Sequence, residues 1–172
     1  MYQLLKQIVT VGIKTEKAPR ADLSLALAGQ RLAEEILSLF KGALAIRHVD
    51  AGSCNGCELE IHAANNAFYN LEGLGIKFVA SPRHADMLLV TGPVSRHIET
   101  ALRLSLDATP DPKLVVAIGD CGCNGGIFGE SYASCGRVSN VIPVDVAVPG
   151  CPPTPVAIIQ GILAAIQPRA SA

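Results

Sequence analysis

The sequence predicts an α/β fold, a mostly parallel sheet flanked by helices and preceded by an N-terminal helical arm. Short, uniformly apolar runs, suited to strands buried on both faces, alternate with segments whose apolar residues recur every three or four positions. Three of the apolar runs end in glycine-containing turns that carry cysteine, and open parallel sheets collect ligands beyond the carboxyl ends of their strands. Fold and chemistry therefore point to one edge. At 172 residues the chain is long enough for a substantial core. Its expected division is an arm and helix over residues 1–42 and a sheet domain over 43–172.

Met1, Leu4, Leu5, Ile8 and Val11 form the stripe of an amphipathic helix, with Lys6 and Gln7 opposite. The polar, Pro19-containing stretch from Thr15 to Arg20 separates this helix from the rest of the chain, so the stripe is expected to be buried on another subunit or a membrane surface. Asp22 or Ser24 can cap a second helix to about Phe40, with Leu25, Ala28, Leu32, Ile36 and Leu39 on one face and Gly42 as its stop. Ala43 to Val49 reads as the first strand. A helix from Glu58 to about Leu71 carries Glu58 and Glu60 in its first turn, where they suit the positive end of the dipole. Ile76–Ala80 and Met87–Thr91 are the next strands and Ser95–Leu106 the next helix, which Pro110 and Pro112 break. Leu114–Ile118 and Val144–Val148 complete the strands. Thr154–Ile166 closes the chain as a helix, with Pro155 tolerable in its first turn. The weakly periodic stretch from Gly122 to Ser139 is expected to be an ordered loop over the cysteine turns, and Asp145 to serve a structural hydrogen bond.

Hydrophobic residues make up 49% of the chain and charged residues 17%, too little polar material for a free surface, so a partner is expected. Net charge is −1 and no basic block occurs, which argues against nucleic acid. Even the apolar run Val156 to Ile166 is short and interrupted by Gln160 and Gly161, so no transmembrane helix is expected. The N-terminus lacks the compact apolar core and cleavage site of a signal peptide. Those features point to a reducing cytoplasm, where thiols remain available to metal.

Cys54 and Cys57 form a CxxC pair after the first strand, Cys121 follows the fourth, and Cys151 follows the fifth. Gly52, Gly56, Gly119, Gly122 and Gly150 would let backbone amides approach the sulfurs, as an iron-sulfur cluster requires. Structural zinc usually pairs two CxxC knuckles about 15–20 residues apart, whereas the third and fourth cysteines here stand alone. Spacing favours iron-sulfur, leaving zinc and a thioredoxin-type dithiol open. Cys123 and Cys135 exceed four ligands and suit small buried hydrophobes, although Cys123 competes with Cys121 on spacing. His48, His62, His84 and His97 are scattered and read as surface or supporting residues.

Four stretches resemble the small-subunit family shared by nickel-iron hydrogenases and the 20 kDa subunit of respiratory complex I. They are Cys54-Asn55-Gly56-Cys57-Glu58-Leu59-Glu60, Ser81-Pro82-Arg83-His84-Ala85-Asp86, Gly119-Asp120-Cys121 with Gly125 and Gly126, and Pro143-Val144-Asp145 leading to Pro149-Gly150-Cys151-Pro152-Pro153. The resemblance spans about Ala45 to Ala165. It implies a flavodoxin-like domain in which Cys54, Cys57, Cys121 and Cys151 hold one 4Fe-4S cluster, with Arg83, Gly122 and Gly150 around it and Glu60 on a proton route. The separated first cysteines match the hydrogenase branch rather than the adjacent pair of the complex I branch. The compact one-cluster form resembles membrane-bound, energy-converting hydrogenases, including formate hydrogenlyase-like complexes. By that resemblance the chain is an electron-relay subunit without a complete active site of its own. Its implied partners are a hydrogenase large subunit-like protein with a nickel-iron centre, a ferredoxin-like iron-sulfur subunit and integral membrane subunits, on the cytoplasmic side of the membrane. The competing expectations are a complex I-like subunit passing electrons to quinone and a zinc-stabilised, non-catalytic interaction module.

Overall fold

A computed structural model describes residues 2–12 and 42–170, and between them Leu27, Gln30, Arg31, Glu34 and Ser38. Apart from those five positions, the second helix expected to end near Phe40 lies outside the described residues. The elements are α1 (Tyr2–Val11), β1 (Leu44–Asp50), α2 (Gly56–Ala64), β2 (Ile76–Phe78), β3 (Met87–Thr91), α3 (Glu99–Ala108), β4 (Leu114–Ile118), α4 (Gly119–Asn124), β5 (Val146–Val148) and α5 (Pro155–Ala170).

All sheet pairings are parallel, in the order β2-β1-β3-β4-β5. This is the doubly wound, flavodoxin-like order, whose switch point lies between β1 and β3. Because successive strand residues face opposite sides, the sheet makes two cores. Leu44, Ile46, Met87, Leu89, Val116 and Ile118 meet Ile61 of α2 and Ile158, Ile159 and Ile162 of α5 on one face. On the other, Leu88, Val90, Val115 and Ala117 meet Leu102 of α3 together with Val138, Val141 and Ile142.

Strand entry is pinned by two aspartates. Asp86 Oδ2 accepts from Ala45 N–H at 2.9 Å, and Asp145 Oδ2 accepts from Val115 N–H at 2.7 Å, the structural role expected of Asp145. Several boundaries differ from expectation. Helix α2 stops at Ala64 rather than near Leu71, because Asn66 Oδ1 draws the amides of Phe68 and Tyr69 into a turn. Helix α3 starts at Glu99 rather than Ser95, which is engaged in a bridge to Ser134. Strand β2 ends at Phe78 rather than Ala80. The third cysteine lies in a short helix, α4, which overlaps the start of the stretch expected to be a loop. Gly119 and Gly125, with φ of +83° and +93°, bound it. No helix among the described residues is long and apolar enough to cross a membrane.

Candidate functional site

The first cysteine turn is folded by Asp50 at the end of β1, whose Oδ1 accepts from the amides of Gly52 and Ser53 at 2.9 and 2.8 Å. Asn55 then adopts a left-handed conformation with φ 70°, and Cys57 enters α2 in its first turn. The second and third cysteine turns clasp each other. Asp120 N–H donates to Gly150 O at 2.8 Å, and Gly150 N–H donates back to Asp120 Oδ1 at 2.8 Å.

These turns bring Cys54, Cys57, Cys121 and Cys151 onto one cavity of about 150 Å³, completed by Ser53, Gly56, Gly92, Asp120, Gly150 and Pro152. A second, largely apolar hollow of about 460 Å³ adjoins it, where Ile127 and Phe128 border Cys54, Cys121 and Cys151. The stretch after α4 thus walls one side of the cysteine cavity. Cys54 and Cys151 are exposed, whereas Cys57 and Cys121 are half-buried.

Room around the sulfurs depends on glycine. A Cβ at Gly119 would lie 2.6 Å from Cys57 Sγ, and one at Gly126 would lie 2.8 Å from Cys121 Sγ. Burial, then the carboxylate of Glu58 and the other three cysteines, pushes the Cys57 thiol up to about 12. Burial and the neighbouring Cys151, Cys54 and Asp120 raise Cys121 as well. Four thiolates gathered here repel one another, and a bound cationic group offsets that repulsion. The donor set is all sulfur, suited to zinc or iron-sulfur. Among the described residues no three His, Cys, Asp or Glu side chains group closely enough to hold a single metal ion.

Other residues singled out from sequence fall in different places. Gly150 lines the cavity, but Gly122 does not; it is buried in α4 against Val138 and Ala117. Arg83 is exposed on the 3-10 turn Pro82–His84, which packs against α3, and lies on neither cysteine cavity. That turn precedes the amino end of β3, whereas the cysteines follow carboxyl ends of strands. Glu60 is half-buried on α2 without lining the cavity. Cys123 Sγ turns away, 3.8 Å from Ala117 O, with its thiol pushed up to about 11 by burial and Asp120. Buried Cys135 donates to Glu99 Oε2 at 3.2 Å.

Sequence reasoning missed a polar cluster behind Cys57. Glu58, expected to complement the helix dipole, is 7% exposed. Its Oε1 accepts from the hydroxyl of Thr91, and His48 Nε2 lies 3.0 Å from that hydroxyl oxygen and 3.6 Å from Oε1. Since the only hydroxyl proton of Thr91 goes to Glu58, His48 Nε2–H is the donor to Thr91. Burial holds His48 below its ordinary value despite the nearby Glu58 carboxylate. A cavity of about 300 Å³ opens beside the cluster, lined in part by Arg47, His48, Glu58 and His62. The available signal was alternation, with His48 following Leu44 and Ile46 on the inward face of β1.

The family described as NADH ubiquinone oxidoreductase, 20 Kd subunit, matches residues 54–165. The probable membrane-bound hydrogenase subunit mbhJ of Pyrococcus furiosus is 51% identical over 120 residues, covering 70% of this chain and 72% of that one. Formate hydrogenlyase subunit 7 of Escherichia coli is 44% identical over 131 residues, covering 76% of this chain and 51% of its own length. Among solved structures, a chain of the membrane-bound sulfane sulfur reductase, an archaeal respiratory membrane complex, superimposes with a TM-score of 0.65 at 34% identity. That likeness covers 78% of this chain and 75% of the other. With the family match running from the first cysteine to the closing helix behind the last, the chain belongs to the NADH ubiquinone oxidoreductase 20 kDa subunit family.

Proposed function

We propose that the protein is the electron-relay subunit of a membrane-bound hydrogenase, with Cys54, Cys57, Cys121 and Cys151 holding one 4Fe-4S cluster. The observation that carries this reading is the convergence of four cysteines from three strand ends on one cavity, with glycine where a side chain would strike sulfur. Two ligands standing alone on separate turns, rather than in a second CxxC knuckle, favour a multi-iron group over zinc. When bound, such a cluster supplies a one-electron couple and no bond-making chemistry.

The chain's own residues hold, shield and tune. The reciprocal Asp120–Gly150 bonds fix the spacing of the second and third turns. Ile127 and Phe128 are 94% and 55% exposed beside the cysteine edge, an apolar surface that a partner subunit would cover to exclude water. Electrons would pass between the nickel-iron site of a large subunit and a ferredoxin-like subunit, with integral membrane subunits holding the complex at the cytoplasmic face. The names of the Pyrococcus and Escherichia relatives support hydrogenase. The family's description supports the second reading, electron delivery to quinone.

Nickel and iron in the complex, purified anaerobically through a tag on this subunit, separate the two. About one nickel per complex together with iron is the expected result. Iron without nickel would transfer the relay to a quinone- or ferredoxin-linked oxidoreductase.

A further inference from the structure

We infer that Glu58, held in place by Thr91 and His48, is a positioning residue that depresses the potential of the cluster beside it. The inference rests on the proposed cluster. Its physical basis is where the carboxylate sits and what that location costs.

An acidic residue complements a helix dipole from the surface, for roughly 0.3–1 kcal/mol. Glu58 is instead buried, and only one of its oxygens is hydrogen-bonded. Among the described residues its Oε2 is the buried side-chain oxygen with no partner in the chain. Burying a carboxylate that is incompletely hydrogen-bonded is costly, more than dipole complementarity returns. Its place in the chain gives that cost a purpose. Glu58 follows Cys57 directly, and Thr91, its donor, directly precedes Gly92; both Cys57 and Gly92 line the cysteine cavity. The carboxylate is thereby anchored at the β1/β3 switch point next to Cys57, largely buried at the edge of the cavity it shares with Arg47, His48 and His62.

Other acids near the site are differently engaged. Asp120 Oδ1 serves the amide of Gly150, and Asp50 Oδ1 serves two amides of the first turn. Glu60 is more exposed than Glu58. A buried negative charge is weakly screened, and near a cluster it favours the oxidised, less negative state. His48, kept neutral by burial, orients Thr91 without cancelling that charge.

The test is an anaerobic redox titration of the complex at constant pH, following the paramagnetic signal of the reduced cluster that Cys121→Ser removes. Glu58→Gln keeps the shape and an acceptor for Thr91 while removing the charge. It should raise the midpoint of the cluster by about 59 mV for a one-electron couple, so that the oxidised-to-reduced ratio at fixed ambient potential falls about tenfold. Glu58→Asp, which retains the charge, and Thr91→Ser, which retains the hydroxyl, should stay near wild type. An unchanged midpoint in Glu58→Gln with the signal intact would overturn the inference and leave the relay standing. Equal loss of the signal in Glu58→Gln and Glu58→Asp would also overturn it, reducing Glu58 to a packing role. Absence of such a signal from the wild-type complex would defeat the cluster reading itself.

Discussion

Cys121 and Cys123 sit two residues apart on α4, yet the helix aims them differently. Cys121 lines the shared cavity, whereas Cys123 Sγ faces Ala117 O at 3.8 Å. Cys121→Ser should therefore remove most of the iron bound by this subunit, and Cys123→Ser should leave it near wild type, as measured by iron and acid-labile sulfide. Equal losses would mean that the third ligand is misassigned. The four cysteines were legible because each carries local evidence, a glycine turn after an apolar run. Glu58 was not, since its burial depends on Thr91, 33 positions away, and on the contact between Thr91 and His48, 43 positions apart. Arg83 illustrates the opposite difficulty. Its motif was recognisable, and the turn's position before the amino end of β3, opposite the strand ends that carry the cysteines, was already readable, yet the family resemblance outweighed that topology.

At the scale of elements, β3 and β4 were readable to the residue, because five consecutive buried positions leave no ambiguity of face. Helix ends were less readable. Asn66 ends the α2 region through side-chain bonds to Phe68 and Tyr69, a competition that apolar periodicity does not report. Likewise, α4 is only six residues long, too short for a periodic signal. Helix α3 holds the second core through Leu102, which is wholly buried, while Leu104 on the same helix is 62% exposed. Leu102→Ala should destabilise the fold by about 2–5 kcal/mol, and Leu104→Ala by much less. Denaturant or thermal unfolding of the two variants reads the difference. Comparable losses would mean that Leu104 is covered by a partner subunit in the material measured.

For the molecule as a whole, the two-faced sheet leaves its chemistry at one edge. Strands β1, β4 and β5 each end at a cysteine turn, and β3 ends at Gly92 on the same cavity. That edge was legible from the strand ends in the sequence. The apolar surface beside it, with Ile127 almost fully exposed and Phe128 more than half exposed, was foreshadowed only as an excess in composition. Its location required the folded chain. Both features suit a subunit whose site is completed by neighbours, and both leave the nature of the bound group as the central question. Iron, zinc and acid-labile sulfide in the anaerobically purified complex, compared between wild type and Cys151→Ser, address it most directly. A 4Fe-4S cluster on these cysteines predicts that the variant loses about four iron and about four sulfide per complex, with zinc unchanged. Loss of about one zinc with iron and sulfide intact would contradict it.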